Sequence, residues 1–322
     1  MTSRSRRRLL LAVPALAVPR LLAQTGRPSI RVRGINHVTL AVSDVARSVE
    51  FYQGLFGMPI VSRQGTTTNL QIGAGPQFLR VSAAGGDKPR IESLCLGVES
   101  FDVEAVTRIL GQHGVNTSDS SAPLTMRVRT QGVTPEIELR DPSGFLLQLQ
   151  DWRYCGEGGA LSDRCPAPEP SRTPGLLAVR GWSHCTNGVT NPAASRAFFQ
   201  EAFGLRIQAY QGPAAPVFGM GGGVEFLMFN GNGSGIHHSC MTLDGFRPEM
   251  VVAALEKYGI RPRSGQGPAG PLVHYITMRG ADRGGAKEGT PELYFTDPDG
   301  LLMQLQDVSY CGGSGVLGNV CL

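Results

Sequence analysis

Polar and apolar positions along this chain fall into short runs of two kinds, which recur in a fixed order. Residues 35–42 and 182–187 read as strands, and each precedes a segment with apolar side chains at helical spacing. Val45, Val49, Phe51 and Tyr52 make up the first such face, and Phe198, Phe199 and Phe203 the second. Asp44 and Asn191 stand where helix caps belong, and Gly57 and Gly204 where the helices should stop. Strands are expected at 68–73, 77–83 and 224–230. The plan then begins again with a strand (92–98, 236–243), a helix (102–113, 247–258) and strands that turn at Asp-Pro-x-Gly before Phe145–Gln150 or Leu301–Gln306. The unit is βαβββ, twice in each half of the chain.

The two halves are copies. Ile35-Asn36-His37-Val38-Thr39 recurs as Trp182-Ser183-His184-Cys185-Thr186, and Phe51-Tyr52 through Gly57-Met58 recurs as Phe198-Phe199 through Gly204-Leu205, both at an offset of 147. Asp141-Pro142-Ser143-Gly144 through Asp151 recurs as Asp297-Pro298-Asp299-Gly300 through Asp307 at 156, so the second copy has gained residues. Aligning Thr125-Met126-Arg127 with Thr277-Met278-Arg279 places four of them in the Gly-rich stretch 280–289, a loop long enough to cover a pocket. The expected organisation is a first module at 34–155, a linker at 156–178, a second module at 179–310 and a tail at 311–322.

Charge adds a segment that belongs to neither module. The 322 residues carry a formal charge of +4, but Arg4, Arg6, Arg7, Arg8 and Arg20 lie in the first 23, which hold no acid. Without them the chain is close to neutral, which removes the case for a nucleic-acid partner. The basic start, the apolar run Leu9 to Pro19 and Leu21-Leu22-Ala23 read as a signal peptide over 1–23, too short to span a bilayer. Its Ser-Arg-Arg-Arg-Leu-Leu order resembles a twin-arginine signal. A bacterial periplasmic or secreted protein is expected, without stable membrane insertion once the signal is cleaved. Cysteine usage agrees: Tyr154-Cys155-Gly156 to Cys165 and Tyr310-Cys311-Gly312 to Cys321 share a spacing of ten and favour disulfides over a metal knuckle, for which neither loop has a His. Cys95, Cys185 and Cys240 sit in apolar runs and read as buried free thiols.

The opening His strand, the Phe-Tyr-x-x-x-Phe-Gly helix and the closing Asp-Pro-x-Gly strand resemble the vicinal oxygen chelate superfamily of glyoxalases, bleomycin-resistance proteins and extradiol dioxygenases. The resemblance covers about 270 residues. It implies an α+β fold of two tandem modules, each with paired βαβββ units forming a curled mixed sheet around a pocket. It also implies a divalent metal, Fe(II) or Mn(II) first, Zn(II) or Ni(II) as alternatives. Carried over, the ligand positions are His184, His238 and Gln304 in the second copy, and His37, Ser93 and Gln148 in the first. Only the second retains two imidazoles, and both copies have Gln where the family has Glu.

The ring-cleavage signature of the family resembles Leu293 through Gln304, where Tyr294 matches a substrate-facing tyrosine. The upstream catalytic His falls on Gly285, Ala286 or Lys287, so Lys287 and, from the neighbouring strand, His274 are the candidates for proton transfer. His237 should face away from His238. The resulting expectation is an exported metal-dependent enzyme, extradiol-dioxygenase-like or glyoxalase-like, acting on a small oxygen-chelating catechol or hydroxycarbonyl compound. Assembly as a homodimer is left open. The rival expectation is a non-catalytic periplasmic binding or sequestering protein of the bleomycin-resistance type.

Overall fold

The computed structural model describes residues 29–131, 134–156, 161, 164–265, 269–313 and 321. The segment 1–23 lies outside them. Module one runs β1 (Val32–Val42), α1 (Val45–Phe56), β2 (Ile60–Gln64), β3 (Thr67–Gln71), β4 (Phe78–Ala83), β5 (Arg90–Val98), α2 (Val103–Gln112), β6 (Asn116–Thr117), β7 (Thr125–Gln131), β8 (Thr134–Arg140) and β9 (Leu146–Asp151). Module two repeats it as β10 (Val179–Gly188), α3 (Pro192–Phe203), β11 (Arg206–Tyr210), β12 (Pro216–Gly219), β13 (Phe226–Asn230), β14 (Gly235–Leu243), α4 (Pro248–Lys257), β15 (Arg261–Pro262), β16 (Val273–Arg279), β17 (Thr290–Thr296) and β18 (Leu302–Asp307). Each module is one nine-stranded sheet, ordered β2-β3-β4-β1-β5-β9-β8-β7-β6 in the first and identically in the second. The two βαβββ halves join along the antiparallel pair β1·β5 or β10·β14, flanked by parallel neighbours on either side.

Local chemistry accounts for the helices. Asp44 and Asn191 accept the backbone N–H groups of Arg47 and Ala194, and Gly57 and Gly204 close α1 and α3 in the left-handed conformation, φ 66° and 62°. Side chains alternate along a strand, so each sheet has a face covered by its helices and a concave face. The helical faces of the modules meet: Phe56 and Phe51 of α1 lie 5.7 and 6.4 Å from Phe295 of β17, and Phe51 meets Tyr258 edge-on at 5.5 Å. One apolar core therefore runs through both modules.

The Asp-Pro-x-Gly turns turn out to be reciprocal latches. Asp297 accepts the backbone N–H groups of Asp299 and Leu301, both at 2.9 Å, while its other oxygen faces the Tyr52 hydroxyl of α1 at 3.4 Å. Asp141 does the same for Ser143 and Phe145 and takes the Ser195 hydroxyl of α3. A second symmetric contact pairs Gln77 with Glu225, each preceding a β4-type strand. Glu225 accepts from Ile35 N and Gln77 Nε2, and Gln77 Oε1 accepts from Trp182 N. The linker is also engaged: Glu169 exchanges backbone hydrogen bonds with Ile60, and Leu176 and Leu177 donate to Leu55 O.

Burial raises the Asp297 carboxyl to about 6, chiefly by desolvation. The unfolded carboxyl titrates near 3.9, so the folded state holds its proton to higher pH. Its contribution to stability is therefore full below about pH 4 and falls as pH rises through 6, by about 3 kcal/mol in all. Asp297→Asn keeps the acceptor for Asp299 and Leu301 and should flatten this part of the profile. Urea unfolding from pH 4 to 8 tests it, and parallel profiles for wild type and variant would assign the dependence to another group.

Strand register corrects the count of added residues. Gln131 pairs with Thr134, two residues of chain lying between them, whereas Arg279 pairs with Thr290 across the ten residues 280–289. The insertion is eight residues, and Arg279 occupies the place of Gln131 and not that of Arg127. The motif alignment slid because Thr-Met-Arg recurs by chance further along the strand, where Thr277 lies beyond Val273, the true counterpart of Thr125. The longer loop reaches across the concave face to β11, where Gly284, at φ 74°, lies so close to Tyr210 O that a Cβ would stand 1.9 Å from it.

Candidate metal centre

Register assembles one row of concave-face residues across module two: Phe226 on β13, His184 on β10, Cys240 on β14, Gln304 on β18, Tyr294 on β17 and Tyr275 on β16. His238 stands one pleat along β14, opposite Thr186. The two histidines and Gln304 are thus neighbours because three central strands meet there, although the sequence separates them by up to 120 positions.

His184 Nε2 lies 3.1 Å from Gln304 Oε1, and its Nδ1 lies 3.0 Å from Ser183 Oγ. Its ring stacks on Phe226 at 4.4 Å and meets the His238 ring edge-on at 5.5 Å. Burial pushes His184 down to about 3, with the Arg279 charge adding to the shift against the Gln304 hydrogen bond. Burial, then the neighbouring His184 and His237, holds His238 well below the usual histidine range. Both rings are neutral at pH 7, the form that ligates metals.

The donor set fits a divalent ion. Ligand bonds of about 2.1 Å at right angles place two donors about 3 Å apart, the spacing of His184 Nε2 and Gln304 Oε1. Ser183 supplies the acceptor that would hold the His184 proton on Nδ1 and free Nε2. Gln304 Nε2 is buried without a hydrogen-bond partner. Among the described residues no three His, Cys, Asp or Glu side chains converge, so the third donor here would be the neutral amide of Gln304. In module one the row holds a single imidazole, His37, while Ser93 donates to Gln148 Oε1 at 3.2 Å.

Of the residues proposed for proton transfer and substrate contact, Tyr294 is at the centre, its ring edge-on to His238 at 5.3 Å and stacked on Tyr275 at 5.1 Å. His274 is not. It pairs with Phe295 and so points to the helical side, where its Nε2 lies 3.4 Å from Glu256 Oε1 of α4. Strand alternation removes it from the concave face. Lys287 is exposed on the 280–289 loop. His237 is exposed as expected, yet its Nδ1 lies 2.8 Å from His238 Nδ1, because the register shift between Thr186 and Asn187 draws the two rings together.

Sequence reasoning missed the tyrosine that closes the cup. Tyr310 packs on His184 and Phe226 at 5.8 and 5.9 Å. Arg279, 1% exposed, binds Glu292 through Nε (3.1 Å), Gly312 O through Nη1 (3.0 Å) and the Tyr310 hydroxyl through Nη2 (2.7 Å). Disulfides Cys155–Cys165 and Cys311–Cys321 close the tails, and Cys95, Cys185 and Cys240 are buried free thiols. The repeated Tyr-Cys-Gly after each last strand was the available signal. A cleft of about 560 Å³ opens at His237, lined also by Tyr275, Arg263, Leu302 and, from module one, Arg90 and Glu92. A larger cavity of about 980 Å³ lies on the far side, between α1 and the linker, and has no histidine in its wall.

Comparison with known proteins agrees with this architecture. Residues 34–149 match the family model of the Glyoxalase/Bleomycin resistance protein/Dioxygenase superfamily. Metallothiol transferase FosB of Staphylococcus haemolyticus is 38% identical over 42 residues, 13% of this chain and 30% of that protein. The chain thus matches less than a third of the length of that curated relative. Homoprotocatechuate 2,3-dioxygenase from Brevibacterium fuscum, solved with 3,4-dihydroxyphenylacetate, is 16% identical with a TM-score of 0.61 over 87% of this chain and 82% of its own. The Mn(II)-bound glyoxalase from Novosphingobium aromaticivorans is 17% identical with a TM-score of 0.61 over 89% and 87%. The first module of this chain is a domain of the Glyoxalase/Bleomycin resistance protein/Dioxygenase superfamily, and the second repeats its fold.

Proposed function

We propose that this chain is an exported metal-dependent enzyme of extradiol-dioxygenase or glyoxalase type, with His184, His238 and Gln304 holding Fe(II) or Mn(II). The observation that carries this reading is the 3.1 Å approach of His184 Nε2 to Gln304 Oε1 beside a second neutral imidazole. A bound divalent ion would supply Lewis acidity toward two neighbouring substrate oxygens. The protein's own residues do the rest. Tyr294 walls the site beside His238, and its phenol, kept protonated by burial, is a hydrogen-bond donor. Arg263, whose guanidinium lies 4.9 Å over Tyr275, brings positive charge to the cleft for an anionic catechol or hydroxycarbonyl compound, while Arg90 there is paired with Glu92. Tyr310, packed on His184, excludes water from that side. Two disulfides support an oxidising compartment.

Metal analysis of protein purified from its native compartment tests the reading. About one ion per chain is expected in the wild type and a loss of at least tenfold in His184→Ala/His238→Ala; a metal-free wild type, or equal content in both, overturns it. Oxygen uptake with catechols, 3,4-dihydroxyphenylacetate among them, then separates dioxygenase from glyoxalase-type chemistry. One observation favours a binding protein instead: the cup is closed by Tyr310, and His274 turns away from it toward Glu256. That alternative is recognised by saturable catechol binding without turnover in the metal-loaded protein.

A further inference from the structure

Module one lacks the second imidazole, yet its concave face is no ordinary core. Four polar side chains there are more than nine-tenths buried, and each keeps an atom with no hydrogen-bond partner: His37 Nε2, Thr39 Oγ1, Arg80 Nη2 and Glu136 Oε1. Register places Thr39 opposite Arg80, His37 opposite Phe78, and both pairs on adjacent central strands. Arg80 donates from Nε to Asn69 Oδ1 at 3.2 Å and lies 5.4 Å over the Phe78 ring, on which His37 stacks at 4.4 Å. A buried guanidinium with an unused N–H is costly unless something accepts from it. In module two the position of Arg80 is Met228, opposite Thr186, so the charge belongs to this module alone.

The donor and acceptor roles are fixed by the surroundings. Asn36 Nδ2 donates to Trp152 O and Tyr154 O, which leaves its Oδ1 to accept from His37 Nδ1 at 2.9 Å. His37 Nε2 therefore presents a lone pair. The face offers donors at Arg80 and Thr39 and acceptors at His37 and Glu136, whose carboxyl burial raises above the usual carboxylate range against the pull of Arg80. We propose that the concave face of module one is a second ligand site, selective for a small 2-hydroxycarboxylate, whose carboxylate pairs with Arg80 and Thr39 and whose hydroxyl donates to His37 or Glu136. Tyr154, which lies 6.4 Å from His37 and 5.9 Å from Phe78, covers it as Tyr310 covers the other cup.

The probe is glycolate, titrated calorimetrically into the full chain at pH 7 with acetate, which lacks the hydroxyl, as comparison. Single-site binding is expected, at least tenfold weaker for acetate and at least tenfold weaker in Arg80→Met. His184→Ala/His238→Ala should bind glycolate as the wild type does, which keeps the outcome separate from that of the metal site. No glycolate binding, equal binding by Arg80→Met, or loss of binding only in the double histidine variant overturns the proposal. Should Arg80→Met fail to fold, Thr39→Val takes its place, with weakening of at least threefold expected and unchanged binding overturning the assignment. A crystal structure grown in glycolate with only water against Arg80 and Glu136 overturns it as well.

Discussion

Replacing Arg279 with leucine is expected to destabilise the protein by about 3–5 kcal/mol, the usual consequence of removing one partner from a buried ion pair. The substitution leaves Glu292, 8% exposed, without its cation, and takes the donor away from both Gly312 O and the Tyr310 hydroxyl. Both losses act on the same structure, the tail that seals the His184 side of the cup. The double variant Arg279→Leu/Glu292→Leu removes both charges and should recover much of the stability, since neither desolvated charge is then unpaired. Urea unfolding at neutral pH checks this. A loss below about 1 kcal/mol in the single variant, or a double variant worse than the single, would show that the ion pair does not anchor the tail.

Gln304→Glu is expected to tighten divalent-metal binding by on the order of tenfold or more, equivalent to about 1.4 kcal/mol for each factor of ten. The substitution keeps the side chain's length and its oxygen near His184 Nε2 while adding the negative charge that the present donor set lacks. In the metal-free protein the same change should lower stability, because a carboxylate buried at 1% exposure has only neutral neighbours on this row. Gln148→Glu is the control: it makes the same chemical change beside a single imidazole and Ser93, and should bind no ion comparably. Competition with a chromophoric chelator reads both. Equal affinities in wild type and Gln304→Glu would place the amide outside the coordination sphere.

The repeated βαβββ plan was legible because its determinants are local. Asp44 and Asn191 cap within three residues, Gly57 and Gly204 are tolerated where φ is positive, and the strand runs are short and apolar. The disulfides were legible through the matching Tyr-Cys-Gly contexts. Two readings failed where a distance along the chain had to become a direction in space. His274 follows Val273 on the strand beside Tyr294, but alternation turns it toward α4. The Thr-Met-Arg match hid an insertion that only the pairing of Arg279 with Thr290 exposed. Asp141 and Asp297 were read as turn residues, which they are; their second hydrogen bonds, to the opposite module, involve partners whose distance in sequence carries no periodic signal.

By itself, then, the sequence determined the duplication, the order of elements, the helix ends, the cysteine pairs and the asymmetry of one imidazole against two. These are matters of residue type and spacing within a few turns of chain. Only the tertiary structure decided which of those residues share a surface. It joined His184, His238 and Gln304 through the meeting of β10, β14 and β18, set Tyr310 and Arg279 over them, and left Arg80 Nη2 buried in the other cup with no hydrogen-bond partner among the described residues. The physical reason is that a sheet orders its strands by hydrogen-bond register and not by chain order. Alternating side chains then divide every strand between two environments, and which side is buried is settled only when the sheets curl and pack.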